Sequence, residues 1–130
     1  MQKRIIELDV LFGNYIKKKH SKNGFCSCCT CGKKLELGSA DLQAGHFIKR
    51  GIWSLRWNEL NVHPQCVRCN MYLSGNEIEY SKFIIDTYGI DTFNKLLFQK
   101  KVLSKKPKIE EVEKLILYYE AEYERISRIN

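Results

Sequence analysis

Apolar positions change their period along this chain, and each change marks a different kind of structure. Over residues 4–20, Ile5, Leu8, Leu11, Phe12, Tyr15 and Ile16 form the stripe of an amphipathic helix. Lys17-Lys18-Lys19 follow at its C-terminal end, where cations suit the negative pole of the helix dipole. Residues 21–76 lose the periodicity. Gly, Cys, Asn and short apolar runs predict turns, short strands and a β-hairpin there. Helical patterning returns over 77–100 with Ile78, Phe83, Ile84, Tyr88, Phe93, Leu96 and Leu97, with Gly89 as a stop and Asp91 as an N-cap. A basic linker around Pro107 spans residues 100–108. The last helix is predicted from about 107 to 128. Its apolar residues Ile109, Val112, Ile116, Tyr119, Tyr123 and Ile126 make a heptad seam. Such a seam either packs on its own domain or pairs with a second copy to give a homodimer.

Composition narrows the class. At 130 residues and 44% hydrophobic, the chain has the size of one domain, small enough for a structural metal to matter to its stability. No stretch approaches the apolar length of a membrane span, so no membrane partner is expected. The N-terminal Met1-Gln2-Lys3-Arg4 enters an amphipathic segment without signal-peptide features, which predicts a cytoplasmic protein. The net charge of +7 is uneven. Residues 1–76 carry 12 Lys/Arg and 5 Asp/Glu, whereas residues 77–130 carry 10 of each. The excess lies with the cysteines and histidines, and a polyanion is its natural partner.

Six cysteines inside a cell point to metal or thiol chemistry rather than to disulfides. Cys28-Cys29-Thr30-Cys31-Gly32 and Cys66-Val67-Arg68-Cys69-Asn70 are two C-x-x-C knuckles separated by 34 residues. Each offers two thiolates, and together they make a tetrahedral site suited to structural Zn²⁺. Cys26 and Cys29 form a competing C-x-x-C register. The Gly32-Lys33 that follows Cys31 favours Cys28 and Cys31 with Cys66 and Cys69. The motifs come as a pair and outside a strand-to-helix setting, which argues against thioredoxin-type redox use.

Between the knuckles lie Gln43-Ala44-Gly45-His46-Phe47-Ile48, Leu55-Arg56-Trp57-Asn58-Glu59 and Asn61-Val62-His63-Pro64-Gln65. Asn70 and Ser74-Gly75-Asn76 follow, with Tyr80 beyond. The order of knuckle, His, Asn, knuckle and Asn resembles the zinc-containing HNH, or ββα-metal, endonucleases. More narrowly, over roughly residues 8–90, the strings resemble the phage NinG/Rap recombination family. That resemblance implies an α+β fold with a ββα-metal, treble-clef zinc core over residues 1–103, flanked by an N-terminal helix and C-terminal helices. Residues 104–130 would add an amphipathic helix that is not a separate domain. It also implies action on branched recombination intermediates such as Holliday junctions, in a bacterial host carrying a phage or prophage.

The residues make chemical sense of this. Phosphodiester hydrolysis needs a base for water and positive charge at the leaving oxygen. His46 is the expected base. Asn61 is expected to tie the hairpin and orient His46, and Asn70 to give an oxygen ligand to Mg²⁺ or Mn²⁺. Many such nucleases carry an acid directly before the base, but here Gly45 stands at that position. Asp41 and His63 are the candidates for the missing ligand. Lys49, Arg50, Arg56 and Arg68 are expected to hold DNA phosphates. No recognition helix is evident, so structure-selective or nonspecific cutting is expected. A noncatalytic zinc-dependent DNA-binding accessory protein is the competing reading, and a zinc-stabilised adaptor working through the last helix is another.

Overall fold

A computed structural model of the chain describes residues 1–129. The order is α1 (Gln2–Lys19), β1 (Phe25–Ser27), β2 (Lys34–Glu36), β3 (Leu42–His46), α2 (Trp53–Arg56) and β4 (Val62–Cys66). One wide, π-type helical turn (Arg68–Tyr72) follows, then α3 (Glu77–Tyr88), α4 (Ile90–Lys101) and α5 (Ile109–Ile129). The class is mixed α+β, with two small antiparallel sheets, β1–β2 and β3–β4. In the second sheet Gly45 pairs with His63 and His46 with Val62.

Three apolar clusters hold these elements. The stripe of α1 (Ile5, Leu8, Phe12, Tyr15, Ile16) meets Val112, Ile116, Tyr119 and Ile126 of α5, with Val62 of β4 beneath them. Phe12 packs edge-on to Tyr119 at 4.9 Å between ring centroids. Of the two partners open to the heptad seam, the structure seats α1 on it. A second copy meeting α5 would have to use the opposite face. Tyr123, expected in the seam, is exposed. The second cluster is small and surrounds the knuckles: Cys26, Cys28, Leu35, Leu42, Cys66 and Cys69. The third, Phe47, Ile48, Leu55, Tyr80, Ile84 and Leu96, anchors the loop after β3 onto α3 and α4.

Two details differ from the expected helices. Gly89, at φ +94°, breaks the 77–101 segment, and α4 resumes at the next residue. Asp91 therefore lies in the first turn of α4, near the positive dipole end, and does not cap it. Ile78 is 74% exposed, and Tyr80 takes the inward position of α3 instead.

Candidate functional site

The knuckles bring Cys28, Cys31, Cys66 and Cys69 together, their sulfurs all within 4.8 Å of one another. Cys31 Sγ and Cys66 Sγ are 3.7 Å apart. Tetrahedral zinc with Zn–S bonds of about 2.3 Å requires about 3.8 Å between sulfurs. The donor set and spacing thus fit a structural ion such as zinc. Cys26 and Cys29 stay outside the group: Cys26 lies in β1, and Cys29 turns toward Tyr80. Burial pushes the Cys28 thiol up, but the Thr30 hydroxyl and backbone donors of the knuckles outweigh it and leave the group at about 6.

β3 leaves this group at Leu42, which pairs with Cys66, and ends at His46. Its Nε2 lies 2.9 Å from the Arg56 carbonyl oxygen. A carbonyl only accepts, so Nε2 carries the proton of the neutral ring and Nδ1 keeps its lone pair. Burial, offset in part by that bond, holds His46 below the ordinary 6.5, so the ring is neutral at pH 7. Asn61 is fully buried and staples the intervening loop. Its Oδ1 accepts from Ile48 N at 2.8 Å, and its Nδ2 donates to the carbonyls of Ile48 at 2.9 Å and Leu55 at 3.1 Å. The strand end that carries His46 and the carbonyl that orients it are therefore fixed by one side chain.

His46 opens on a recess of about 370 Å³ lined with Ala44, Lys49, Arg50, Asn70, Ser74 and Gly75. Asn70 lies inside the π-type turn and does not open a long helix as expected, since α3 starts only at Glu77. Its Nδ2 donates to Gln43 Oε1 at 2.8 Å, and its Oδ1 has no donor among the described residues. Lys49, Arg50 and Arg68 are exposed.

Arg56 is not brought to this surface. Asp9 holds its guanidinium on two nitrogens, at 2.9 and 2.6 Å, and the group stacks on Trp53 and Trp57. Trp57 Nε1 donates to the same carboxylate. Arg56 is a strut between α1 and α2, and its backbone carbonyl is what reaches His46. Asp41 is also committed elsewhere: it accepts from the Val67 amide at 3.0 Å and pairs with Lys33 at 2.6 Å, bracing the second knuckle. Lys33 and the Val67 amide hold its carboxyl below the usual carboxylate range.

A family model described as Bacteriophage Lambda NinG protein matches residues 2–128. The chain belongs to the NinG family. The NinG-family chain is 41% identical over 64 residues to Protein ninG of Salmonella phage P22, covering 48% of this chain and 30% of that protein. It is 37% identical over 70 residues to Protein ninG of Escherichia phage lambda, covering 53% and 33%. It is 36% identical over 70 residues to the counterpart in Escherichia phage 933W. The aligned segments span about a third of the length of these curated relatives. No solved structure matches it. Among the described residues, no helix is long and apolar enough to cross a membrane.

His63 of this NinG-family chain is fully buried and lies away from the recess. Tyr80 Oη donates to the Gly45 carbonyl at 2.6 Å, so His63 Nδ1–H donates to Tyr80 Oη at 3.0 Å. His63 Nε2 then accepts from Tyr88 Oη at 2.8 Å. The chain Tyr88–His63–Tyr80–Gly45 pins β3 just before His46. This is a structural relay, and it leaves His63 no free nitrogen for a metal or for substrate. Burial, with the charges of His20 and Lys19, pushes His63 down to about 3.

A folded pKa below the unfolded one means that acid favours the unfolded chain. Stability is therefore expected to fall as pH drops from 6.5 toward 3, by about 2 kcal/mol from His63 alone at pH 5. Urea unfolding at pH 8 and pH 5 checks this. Wild type should lose about 2 kcal/mol more than His63→Gln, and equal losses would remove His63 from the account.

Gln65, which the sequence gives no role within its string, and Glu77, which no motif includes, both bear on the site. Gln65 is fully buried. Its Nε2 donates to Thr30 Oγ1 at 3.1 Å and the Gly75 carbonyl at 2.9 Å, linking the first knuckle to the recess wall. A second recess of about 250 Å³ shares His46, Lys49, Ser74 and Gly75 with the first and adds Glu77 and Lys100. The Ser74-Gly75-Asn76 string was the available signal for this wall. Nothing in its spacing points to His46.

Proposed function

We propose that the chain is a metal-dependent DNA endonuclease of the HNH type, built on a ββα-metal, treble-clef zinc core and acting on branched DNA in phage-type recombination. The observation that carries the reading is His46. It is neutral, oriented through Nε2, and set in a recess beside Lys49, Arg50 and Asn70; its Nδ1 and the Asn70 Oδ1 have no partner among the described residues.

In this reading Lys49 and Arg50 bind the phosphate oxygens, with Arg68 extending the grip along the strand. His46 Nδ1 takes the proton from the attacking water, while the Arg56 carbonyl holds the ring and gains strength as the imidazolium forms. Asn61 keeps the loop from yielding. A hard divalent cation, Mg²⁺ or Mn²⁺, held through Asn70 Oδ1 would supply positive charge at the leaving oxygen. The cysteine site offers four thiolates and no open position, which fits a structural role.

Support for branched over plain duplex DNA comes from Met71 and Tyr72, 60% and 80% exposed directly after Asn70. An exposed ring beside a cationic recess offers a stacking face to unpaired bases.

The test is cleavage of a labelled panel of four-way junction, three-way junction, flap, single strand and duplex, in Mg²⁺, Mn²⁺ and EDTA. Metal-dependent cutting with branched substrates ahead of duplex is expected. Binding without cutting in either metal would transfer the protein to the competing class of noncatalytic zinc-dependent DNA-binding proteins.

A further inference from the structure

Position 45 cannot hold an acid while Gln65 keeps its place. A β-carbon built on Gly45 falls 1.8 Å from Gln65 Oε1 and 2.7 Å from its Cδ. Gln65 cannot readily swing away, because it is fully buried and bonded to Thr30 and Gly75. The oxygen that would complete a cation site beside Asn70 must therefore come from another element. The two recesses that meet at His46, Ser74 and Gly75 contain one acidic side chain between them, Glu77.

The carboxylate of Glu77 is not committed elsewhere. It makes no hydrogen bond or ion pair among the described residues, and only its backbone carbonyl is used, by Ser81. Nor does it close a capping box: α3 begins after Asn76, at φ +50°, with no side-chain cap bond. Its neighbour Glu79, by contrast, is paired with Lys82 at 3.2 Å. Asn70 Oδ1 is likewise without a donor. Asn70 lines the first recess and the exposed Glu77 the second. The two recesses meet at His46, Lys49, Ser74 and Gly75, and both oxygen groups are without partners among the described residues. That donor chemistry suits a hard divalent cation, which prefers few protein oxygens and keeps several waters. The carboxylate also lowers, without cancelling, the positive field of Lys49, Arg50 and Lys100 at this point of the cleft.

We infer that Glu77 supplies the carboxylate ligand of a divalent-cation site shared with Asn70, in place of an acid at position 45. The role of that cation in cleavage rests on the nuclease reading, whereas its binding does not.

The test is Mn²⁺ binding to the zinc-loaded full chain without DNA, read by electron paramagnetic resonance of free Mn²⁺ and competed with Mg²⁺. Zinc content and circular dichroism serve as fold controls. Glu77→Gln and Asn70→Ala should each weaken Mn²⁺ binding about tenfold or more. Glu77→Asp, which keeps the charge, should bind between wild type and Glu77→Gln, and Glu79→Gln should bind as wild type does. No Mn²⁺ site in wild type, unchanged binding in Glu77→Gln, or an equal loss in Glu79→Gln would each overturn the assignment. Cleavage separates the two claims. Equal metal dependence of cutting in wild type and Glu77→Gln removes Glu77 and leaves the nuclease. Binding through Glu77 with no cutting of any DNA leaves the site and removes the nuclease.

Discussion

His46→Ala is expected to lower the cleavage rate about 10²–10⁴-fold, the usual contribution of a positioned general base. Zinc content and DNA binding should persist. The ring is half-buried at the end of a strand that other groups already hold: Asn61 bonds the loop, and Tyr80 bonds the Gly45 carbonyl. Removing the ring forfeits one hydrogen bond, worth about 1 kcal/mol, against a cleft that otherwise stays in place. A fall in rate with DNA affinity unchanged is thus the signature of lost chemistry, and equal losses of both would point to a collapsed cleft. The pH profile adds an independent check. The base works only when neutral, and burial holds His46 below 6.5. Activity should therefore be full at neutral pH and decline only as pH falls through that lowered pKa. An acid limb centred above 6.5 would contradict the environment found for this ring.

The second large effect is expected from the cysteine site. Stripping the metal with a strong chelator, or Cys69→Ser, should unfold the two knuckles together with the β1–β2 hairpin and abolish cleavage. Structural zinc sites of this kind contribute roughly 10–16 kcal/mol in small domains at neutral pH. Little else stands behind these elements. Strands β1 and β2 have three residues each, and apart from the cysteines their cluster contains only Leu35 and Leu42 as buried residues. The α1–α5 contact has its own apolar core and should keep part of its helicity. Thermal unfolding followed by circular dichroism, before and after chelation, reads the result. An unchanged transition would show that the four sulfurs do not need a metal to stay together.

What the sequence made legible follows from the range of each interaction. Helix α1 and the last helix show in their periodicity because their burial is set by residues three and four apart. The knuckles show in their spacing because both ligands of a pair sit on one turn. Asn61 bonds the backbone of Ile48 and Leu55, partners within thirteen residues of it and so within reach of a local pattern. The fates of Arg56, Asp41 and His63 could not be read this way. Each is decided by a partner far along the chain: Asp9 lies 47 residues from Arg56, Val67 lies 26 from Asp41, and Tyr80 and Tyr88 lie on another element from His63. A cation, an acid and an imidazole look alike in sequence whether they meet solvent or one another. Glu77 is hidden for the same reason, since it joins the lining of a recess shared with His46 only through the turn at Ser74 and Gly75.

The contact between Gly45 and Gln65 also binds these two positions in descent. An acid arriving alone at position 45 meets the Gln65 carboxamide and pulls it from Thr30 and Gly75. Shortening Gln65 alone leaves a void and an unsatisfied carbonyl. Either order of substitution passes through a disfavoured intermediate, so the two changes are epistatic rather than additive. Chains that share this cleft are expected to vary at 45 and 65 together or at neither. The glycine before His46 is then half of a two-residue state, and its other half lies across the hairpin.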